Sequence, residues 1–436
     1  MSDTPLTTYE QRLQEGLEEA KAKGATAGRI FFQRGTFVRC VFEAGRLKTS
    51  STKEHSGYNI EVLAGGRRGV AGGNQLEDMS ELIERAVGLA KVGSVAHFEA
   101  YPAPTPVTPL DLYATSTAEL AVEKLVDTCG GMVEKLKAYD DELFIDSNGS
   151  RATEEGVLVT TGGVAHSYRQ THWGLGIGAQ RTRGTDILFV GEGRQWRELN
   201  EYFDPAYLAE RTLRDLRRAE RNAAPPSGAT TVMLPPEALS MLVWGVAMGV
   251  NGRNVAKGDS PLKGRLGEKV FGDNVTLADD PHRPYSPGSE SVDAGGVSTR
   301  PMTIVKDGRV EAFLYDLDSA GLAGAEPTGH NGCRPYNAEV APGAEPHEAL
   351  MAGITDGLLV KYVIGFGQGN LMNGDFSCNV GLGFRIEGGE ITGRVKDTMI
   401  AGNLYELLNR VTFSADRDPL LNMPYAVFDG VGVSSK

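Results

Sequence analysis

The chain has 436 residues, 40 % of them apolar and 23 % charged, a balance that excludes intrinsic disorder and suits roughly two to three globular domains. Its 44 basic and 57 acidic residues leave a formal charge of −13, which repels nucleic-acid backbones and anionic membranes unless a local basic patch intervenes. Nucleic acid and membrane are therefore set aside as partners.

MSDTPLTTYEQR opens the sequence without a basic segment followed by an apolar one, and the longest apolar run, Met241 to Val250, is too short to span a bilayer, so a cytoplasmic location is expected. Cys40, Cys129, Cys333 and Cys378 form no CxxC pair. They read as reduced, buried thiols, not as a disulfide framework or a zinc ribbon.

In chain order, Tyr9 to Lys23 predicts an amphipathic helix closed by Gly24. Phe37 to Phe42 and the alternating Tyr58, Ile60 and Val62 predict strands, with a turn at Gly65-Gly66. Helices follow at Ser80 to Lys91 and beyond a Ser116/Glu119 capping box, where Val122, Leu125, Cys129, Val133 and Leu136 share a face. From Leu143 to Glu192 a second antiparallel set is expected, divided at Asn148-Gly149, Gly162-Gly163 and Gly184. Asp204-Pro205 caps a helix to about Asn222 whose five arginines interleave with Glu210, Asp215 and Glu220, which points to a solvated face.

The stretch 223–229, containing AAPPSG, is the expected linker between an N-terminal α/β domain (1–222) and a β-rich C-terminal domain (230–436). A strand at Thr231 to Leu234 leads into a helix spanning 235–249, apolar all round and hence buried. Hairpins are expected on Asp307-Gly308 and Gly388-Gly389, and a short helix at Leu404 to Val411. Ten of the forty residues from Ile364 to Asn403 are glycine, so this stretch reads as backbone presented at strand ends. A Gly-rich meander without a ligand explains the pattern equally well.

Recognisable catalytic motifs are scarce. GxSxG and GxxxxGK[ST] do not occur. His347-Glu348 lacks a second histidine at the fourth or fifth following position and reads as a helix N-terminus after Pro346. His166 and His172 fall on one strand face with no thiol or carboxylate at a suitable spacing, which marks them as structural. His330 and Cys333 in GHNGC are close enough to share a metal, while the flanking glycines suit a turn. The pairs Asp279-Asp280 and Asp316/Asp318 permit acid and base roles, or turn and cap roles.

An ordered series of motifs goes further: SPLKGRLGEKV at 260–270, DDPHRP at 279–284, GGVSTRPMTIVKDGRVEAFLYD from Gly295, GHNGC, NGDFSCNVGLGFRIEGGEI from Asn373 and MIAGNLYELL from Met399. Together with GYNIEVLAGGRRGVAGGN at 57–74, this series resembles the PmbA (TldE) branch of the TldD/PmbA family, long labelled modulators of DNA gyrase and understood as peptidase subunits. The resemblance implies an α+β fold of two domains, an N-terminal antiparallel sheet with helices and a Gly-rich, mostly β C-terminal domain.

In that family the TldD-type subunit carries an HExxxH helix and a later cysteine that hold zinc. The matching helix here is LSMLVWGVAMG, and placing the motif on it puts Met241, Leu242 and Val246 at the zinc positions, with no cysteine after Cys378. The expected function is thus a non-catalytic subunit without its own metal, paired in a heterodimer with a zinc-bearing TldD-type metallopeptidase and binding unfolded or modified peptides. Whether the chain forms a homodimer when alone is left open. Gly365, Gly367, Gly369, Asn370, Gly374, Asp375 and Ser377 are the expected substrate-near residues, through main-chain hydrogen bonds to an extended peptide. The alternative is a self-sufficient, zinc-independent hydrolase or natural-product maturation enzyme using Asp316, His330 and Cys333. Direct DNA or gyrase binding conflicts with the charge of −13.

Overall fold

The computed structural model describes residues 5–74, 78–200 and 204–435. Helix α1 (Leu6–Ala22) buries Leu13, Leu17 and Ala20 and ends at Gly24, whose φ of +102° is open to glycine. Strands β1 (Ala27–Glu43), β2 (Arg46–Ala64) and β3 (Arg67–Gly73) turn at Ala44-Gly45 and Gly65-Gly66, all four at positive φ. After α2 (Met79–Ala90), α3 (Thr115–Ala118) and α4 (Val122–Lys137) come β4 (Phe144–Thr160), β5 (Ala165–Arg183) and β6 (Asp186–Trp196). They form one antiparallel sheet in the order β3-β2-β1-β4-β5-β6.

Two local expectations fail here. The Ser116/Glu119 capping box does not start the long helix, because α3 ends at Ala118 and α4 begins afresh after Ala121. Asn148-Gly149 is no turn: β4 runs straight through it, and Gly149 is needed because an added Cβ would stand 2.9 Å from the Cys129 sulfur on α4. Cys129 itself lies 3.4 Å from Cys40, so two thiols far apart in sequence meet in the core.

Alternate residues of the long strands bury one sheet face. Ile30, Phe32, Ile60 and Val159 pack under α1 and α2, while Val38, Cys40, Ile145 and Leu175 pack under α4 and α5 (Pro205–Arg218). The opposite face carries no helix of this half.

The C-terminal half starts with β7 (Gly228–Leu234), α6 (Pro236–Val250) and α7 (Gly252–Lys257). A small sheet of β8 (Leu277–Asp279), β9 (Met302–Lys306), β10 (Arg309–Val310) and, past α8 (Leu317–Ala323), β11 (Ala338–Val340) has the order β10-β9-β8-β11. Beyond α9 (His347–Ala352) come β12 (Asp356–Ile364), β13 (Asp375–Glu387), β14 (Glu390–Arg394), β15 (Thr398–Asn403), α10 (Leu404–Leu407), β16 (Val411–Asp418) and β17 (Met423–Ser435). These join β7 in a seven-stranded sheet, with the expected hairpins at Asp307-Gly308 and Gly388-Gly389.

The halves are joined by shared packing as well as by the chain. Phe384, Ile386 and Leu359 of the C-terminal sheet belong to the same buried cluster as Leu208, Leu213 and Leu216 of α5. Ala223 donates its N–H to the Arg394 carbonyl at 2.8 Å, so the Pro-rich connection is pinned at its start. Among the described residues no helix is long and apolar enough to cross a membrane.

Candidate functional site: a glycine-floored cleft between the halves

The uncovered face of the N-terminal sheet meets the C-terminal half across a cleft of about 970 Å³. Its floor is built by the two-residue alternation of three strands: Asp146, Asn148 and Ser150 on β4, Gly174, Gly176 and Gly178 on β5, Gly191, Gly193 and Gln195 on β6. Register aligns Gly176 with Gly193 and Gly178 with Gly191, so neighbouring strands present bare backbone side by side.

A Cβ on Gly174, Gly176 or Gly191 would be tight, at 3.2, 3.1 and 3.0 Å from its nearest neighbour, but packing within the chain does not call for glycine at 178 or 193. A Cβ on Gly178 or Gly193 would meet its nearest neighbour at 3.5 or 3.6 Å, ordinary contact, and both residues have extended backbone. A glycine inside a strand costs about 0.5–1 kcal/mol relative to alanine. The floor therefore keeps its stability cost in exchange for depth in the cleft.

β6 is the outermost strand, and the carbonyls of Ile187 and Phe189 point away from β5 to accept from Arg394 (2.9 Å) and Tyr362 (3.4 Å). By the same alternation Gly191, Gly193 and Gln195 turn their main chain outward; Arg194 takes the Gly193 carbonyl at 2.9 Å. Among the described residues no backbone partner meets Gly191 or Gln195 on this edge, which borders the cleft.

The facing wall is α6. Ser240, Val243, Trp244 and Ala247, spaced one turn apart, line the cleft and an adjoining recess of about 490 Å³, and Trp244 is 46 % exposed. The helix is therefore not buried all round. Leu242 and Val246, taken from the sequence as the zinc-motif positions, lie in the core of the C-terminal half; the Met241 side chain lies outside the described parts. The face that meets the cleft is the one through Val243 and Ala247.

An ion network anchors this wall. Arg211 reaches Glu192 at 3.2 Å and Glu237 at 2.7 Å; Arg194 reaches Glu237 at 2.7 Å and Asp418 at 3.3 Å; Lys361 reaches Glu192 at 3.0 Å and Asp215 at 3.3 Å. The arginine-rich helix α5 thus turns Arg211 and Asp215 inward, contrary to the solvated face expected of it. Burial opposes ionisation of Glu237, but Arg211, Lys361 and Arg194 outweigh it and hold the carboxyl at about 2. Arg197, 2 % exposed, gathers the next segment by donating to the carbonyls of Ser286, Pro287 and Ser289 at 2.9, 2.9 and 3.2 Å.

Other candidate residues from the sequence lie elsewhere. Gly365 and Gly374 adopt φ of +85°, Gly374 beneath the Tyr405 ring, and a Cβ on Gly369 would strike the Asp375 carbonyl at 2.5 Å. Asn370 accepts from the Asn373 and Asp375 N–H groups, Asp375 accepts from the Asn403 amide at 2.8 Å, and Ser377 pairs with Ala401 in β15. Gly367 is exposed. The loop from 365 folds back on its own strand, so this stretch is spent largely on internal packing and borders neither the cleft nor the recess.

Asp316 caps α8 by accepting from the Ser319 N–H at 2.8 Å. His330 is fully buried between Thr328 and Asp279, at 3.1 Å from the latter, and the buried Cys333 sulfur sits 3.0 Å from the Ser319 hydroxyl with its pKa raised by burial. None of the three opens onto the cleft. His347 begins α9 as expected, its N–H bonded to Asp416.

Zinc does not fit the cleft. The residues lining it and its recess include no histidine or cysteine, and the carboxylates of Glu192 and Glu237 are held by arginine and lysine. Among the described residues, donors for a shared ion converge at His347, Glu348 and Asp416, with Glu348 and Asp416 exposed.

Two family models match this chain: PmbA/TldA metallopeptidase domain 1 over residues 28–90, and the PmbA/TldA metallopeptidase C-terminal domain over 227–435. The chain belongs to the PmbA/TldD family. A Methanothermobacter thermautotrophicus protein named metalloprotease is 28 % identical over 84 % of this chain and 83 % of its own length. A Haemophilus influenzae metalloprotease PmbA homolog is 26 % identical over 94 % of this chain and 93 % of that protein. TldE from Thermococcus kodakarensis superposes with a TM-score of 0.87 at 22 % identity, covering 97 % of this chain and all of that one (100 %). As a PmbA/TldD protein the chain has the α+β fold its motifs imply.

Proposed function

We propose that this PmbA/TldD chain is a non-catalytic subunit that holds extended peptides in its glycine-floored cleft for a zinc-bearing TldD-type partner to cut. The carrying observation is the α6 face: Ser240 and Val243 line both the cleft and its recess, Trp244 and Ala247 line the recess, and none of the four is a zinc ligand. The open edge of β6 at Gly191 and Gln195 offers main-chain donors and acceptors to an added strand, a mode indifferent to side-chain identity. The bare floor leaves room for whatever side chains that strand carries.

The burial of His330 and Cys333 and the capping role of Asp316 speak against a self-sufficient hydrolase built on them. Coexpression with a TldD-type partner tests the proposal. Co-purification, with peptide cleavage by the pair and none by the isolated chain, is the expected result; chelator-sensitive cleavage by the isolated chain overturns it.

A further inference from the structure

The same sheet face that floors the cleft continues along β5 through His172, Gln170, Tyr168 and His166, and there it walls a second cavity of about 350 Å³ closed by the segment 289–294. Glu290 and Asn331 border both this cavity and the recess beside α6, so the two spaces adjoin. Part of its lining is apolar: Phe31, Leu112, Leu158 and Val292.

The rest is polar and holds three carboxylates, Glu154, Glu290 and Asp293, against one lining cation, Arg29. Asp293 is 1 % exposed; its Oδ1 accepts from the Gly295 and Val297 N–H groups at 2.8 and 2.9 Å, while among the described residues no hydrogen bond reaches Oδ2. Among the described residues the Glu290 carboxylate accepts one hydrogen bond, from the Asn331 amide at 2.8 Å, and Glu154 accepts from Tyr168 and Gln170 at 2.8 and 2.7 Å. Among the described residues no lysine or arginine nitrogen lies within 4.0 Å of any of the three carboxylates, and the nearest imidazole, His55, stands 3.9 Å from Glu154. Arg29 is engaged by Glu61 and the Ala294 carbonyl, and Arg197 by main-chain carbonyls and Gln170. Burial pushes Glu290 up to about 7 and Asp293 to about 6, outweighing the opposing pull of Arg197 on the first and of Arg29 on the second, neither of which is in contact. It also holds His166 below its ordinary value, and so uncharged at neutral pH.

We infer that this cavity is a binding pocket for an organic cation on an apolar stem, namely the guanidinium or ammonium side chain of a basic residue in a peptide lying in the cleft. The inference rests on the peptide-holding reading of the cleft. A metal ion is the poorer occupant, because these carboxylates do not converge within 4.8 Å as shared ligands would. A guanidinium spreads five donors over a planar fork and reaches acceptors that stand apart, while its methylene stem suits the Phe31 and Leu158 walls.

Two titrations of the full chain test this by calorimetry. In the first, n-butylguanidinium is compared with its uncharged isostere n-butylurea. The cation is expected to bind at least about tenfold more tightly, the worth of one charge-assisted hydrogen bond, and to lose that preference in the Glu290→Gln/Asp293→Asn variant, which keeps the turn acceptor at 293. Equal binding of the two probes to the native chain, or a preference unchanged in the variant, overturns the pocket whatever the peptides do. In the second, an unstructured peptide with one arginine is compared with its norleucine counterpart. Tighter binding of the arginine peptide supports the inference, and equal binding of both peptides overturns the assignment to a peptide side chain while the cleft reading stands. A guanidinium preference with no binding of either peptide leaves the pocket in place and removes the peptide reading.

Discussion

Two glycine-rich regions of this molecule look alike in sequence and differ in what their glycines do. Between Gly365 and Gly374, three of the four glycines are required by the chain itself: two have φ of +85° and Gly369 abuts the backbone of Asp375, while only Gly367 has open space around it. Between Gly174 and Gly193, glycine recurs every second residue on paired strands in extended backbone, and Gly178 and Gly193 have room for a Cβ. The first region is glycine-rich because the fold is tight there. The second keeps glycine at 178 and 193 although the fold leaves room for a Cβ there, so the reason lies in the space above them.

The comparison holds only while the wall opposite the floor stays in place, and its anchor is the most sensitive point. Arg211→Met leaves Glu192 and Glu237 buried with one cation fewer and is expected to cost about 3–5 kcal/mol in denaturant unfolding. A loss below about 1 kcal/mol would mean the network is superficial. Next in size, Gly374→Val forces a β-branched residue into the left-handed region beneath Tyr405; a loss of about 3 kcal/mol is expected, with the cleft's peptide affinity intact.

Gly193→Val separates the two regions most cleanly. Unfolding free energy should stay within about 1 kcal/mol of the native chain, on the stabilising side, because valine favours strands. Peptide affinity, measured by calorimetry, should fall about tenfold or more through lost depth. Destabilisation comparable to that of Gly374→Val would erase the distinction.

The smallest effect is a pH dependence from the far end of the same sheet face. Glu290 titrates near 7 when folded against an ordinary 4.5, so the folded state binds its proton more tightly and stability falls as pH rises from about 4.5 through about 7. Glu290→Gln should flatten that slope and raise the thermal midpoint at pH 8 by about 1 °C, roughly the effect of 1 kcal/mol on a chain of this length. Glu237 acts with the opposite sign: its carboxyl, held at about 2, stabilises the fold above about pH 4.5, and that contribution is lost as pH falls toward 2.

Much of the architecture was legible in the sequence because its signals are local. Gly24, Gly65-Gly66, Asp307-Gly308 and Gly388-Gly389 all mark the turns they were expected to mark, each at positive φ. Asn148-Gly149 misled because the reason for Gly149 is a sulfur 2.9 Å away on a helix distant along the strand. The arginines of α5 read as solvated because interleaved charges look the same on an exposed face and around a buried network; Glu192, Glu237 and Lys361, which draw Arg211 and Asp215 inward, come from three other elements.

The site was harder to see for the same reason. Placing a zinc motif on α6 singled out Met241, Leu242 and Val246; that Ser240 and Val243 line the cleft while Leu242 and Val246 lie in the core follows only from tertiary contact. His166 read as structural for want of an acid at a suitable spacing; Glu154 of the adjacent strand lines the same cavity, as do Glu290 and Asp293 from a segment remote in sequence. The alternating glycines of WGLGIG and VGEG were a signal of their own: bare positions at period two on consecutive strands.

Photo-crosslinking bears most directly on the central claim. An extended peptide carrying a benzophenone, incubated with the isolated chain and mapped by mass spectrometry, should leave adducts on the floor at 174–178 and 191–195 and on α6 at 240–247. Adducts concentrated at 365–377, with the floor and α6 unmarked, would contradict the account.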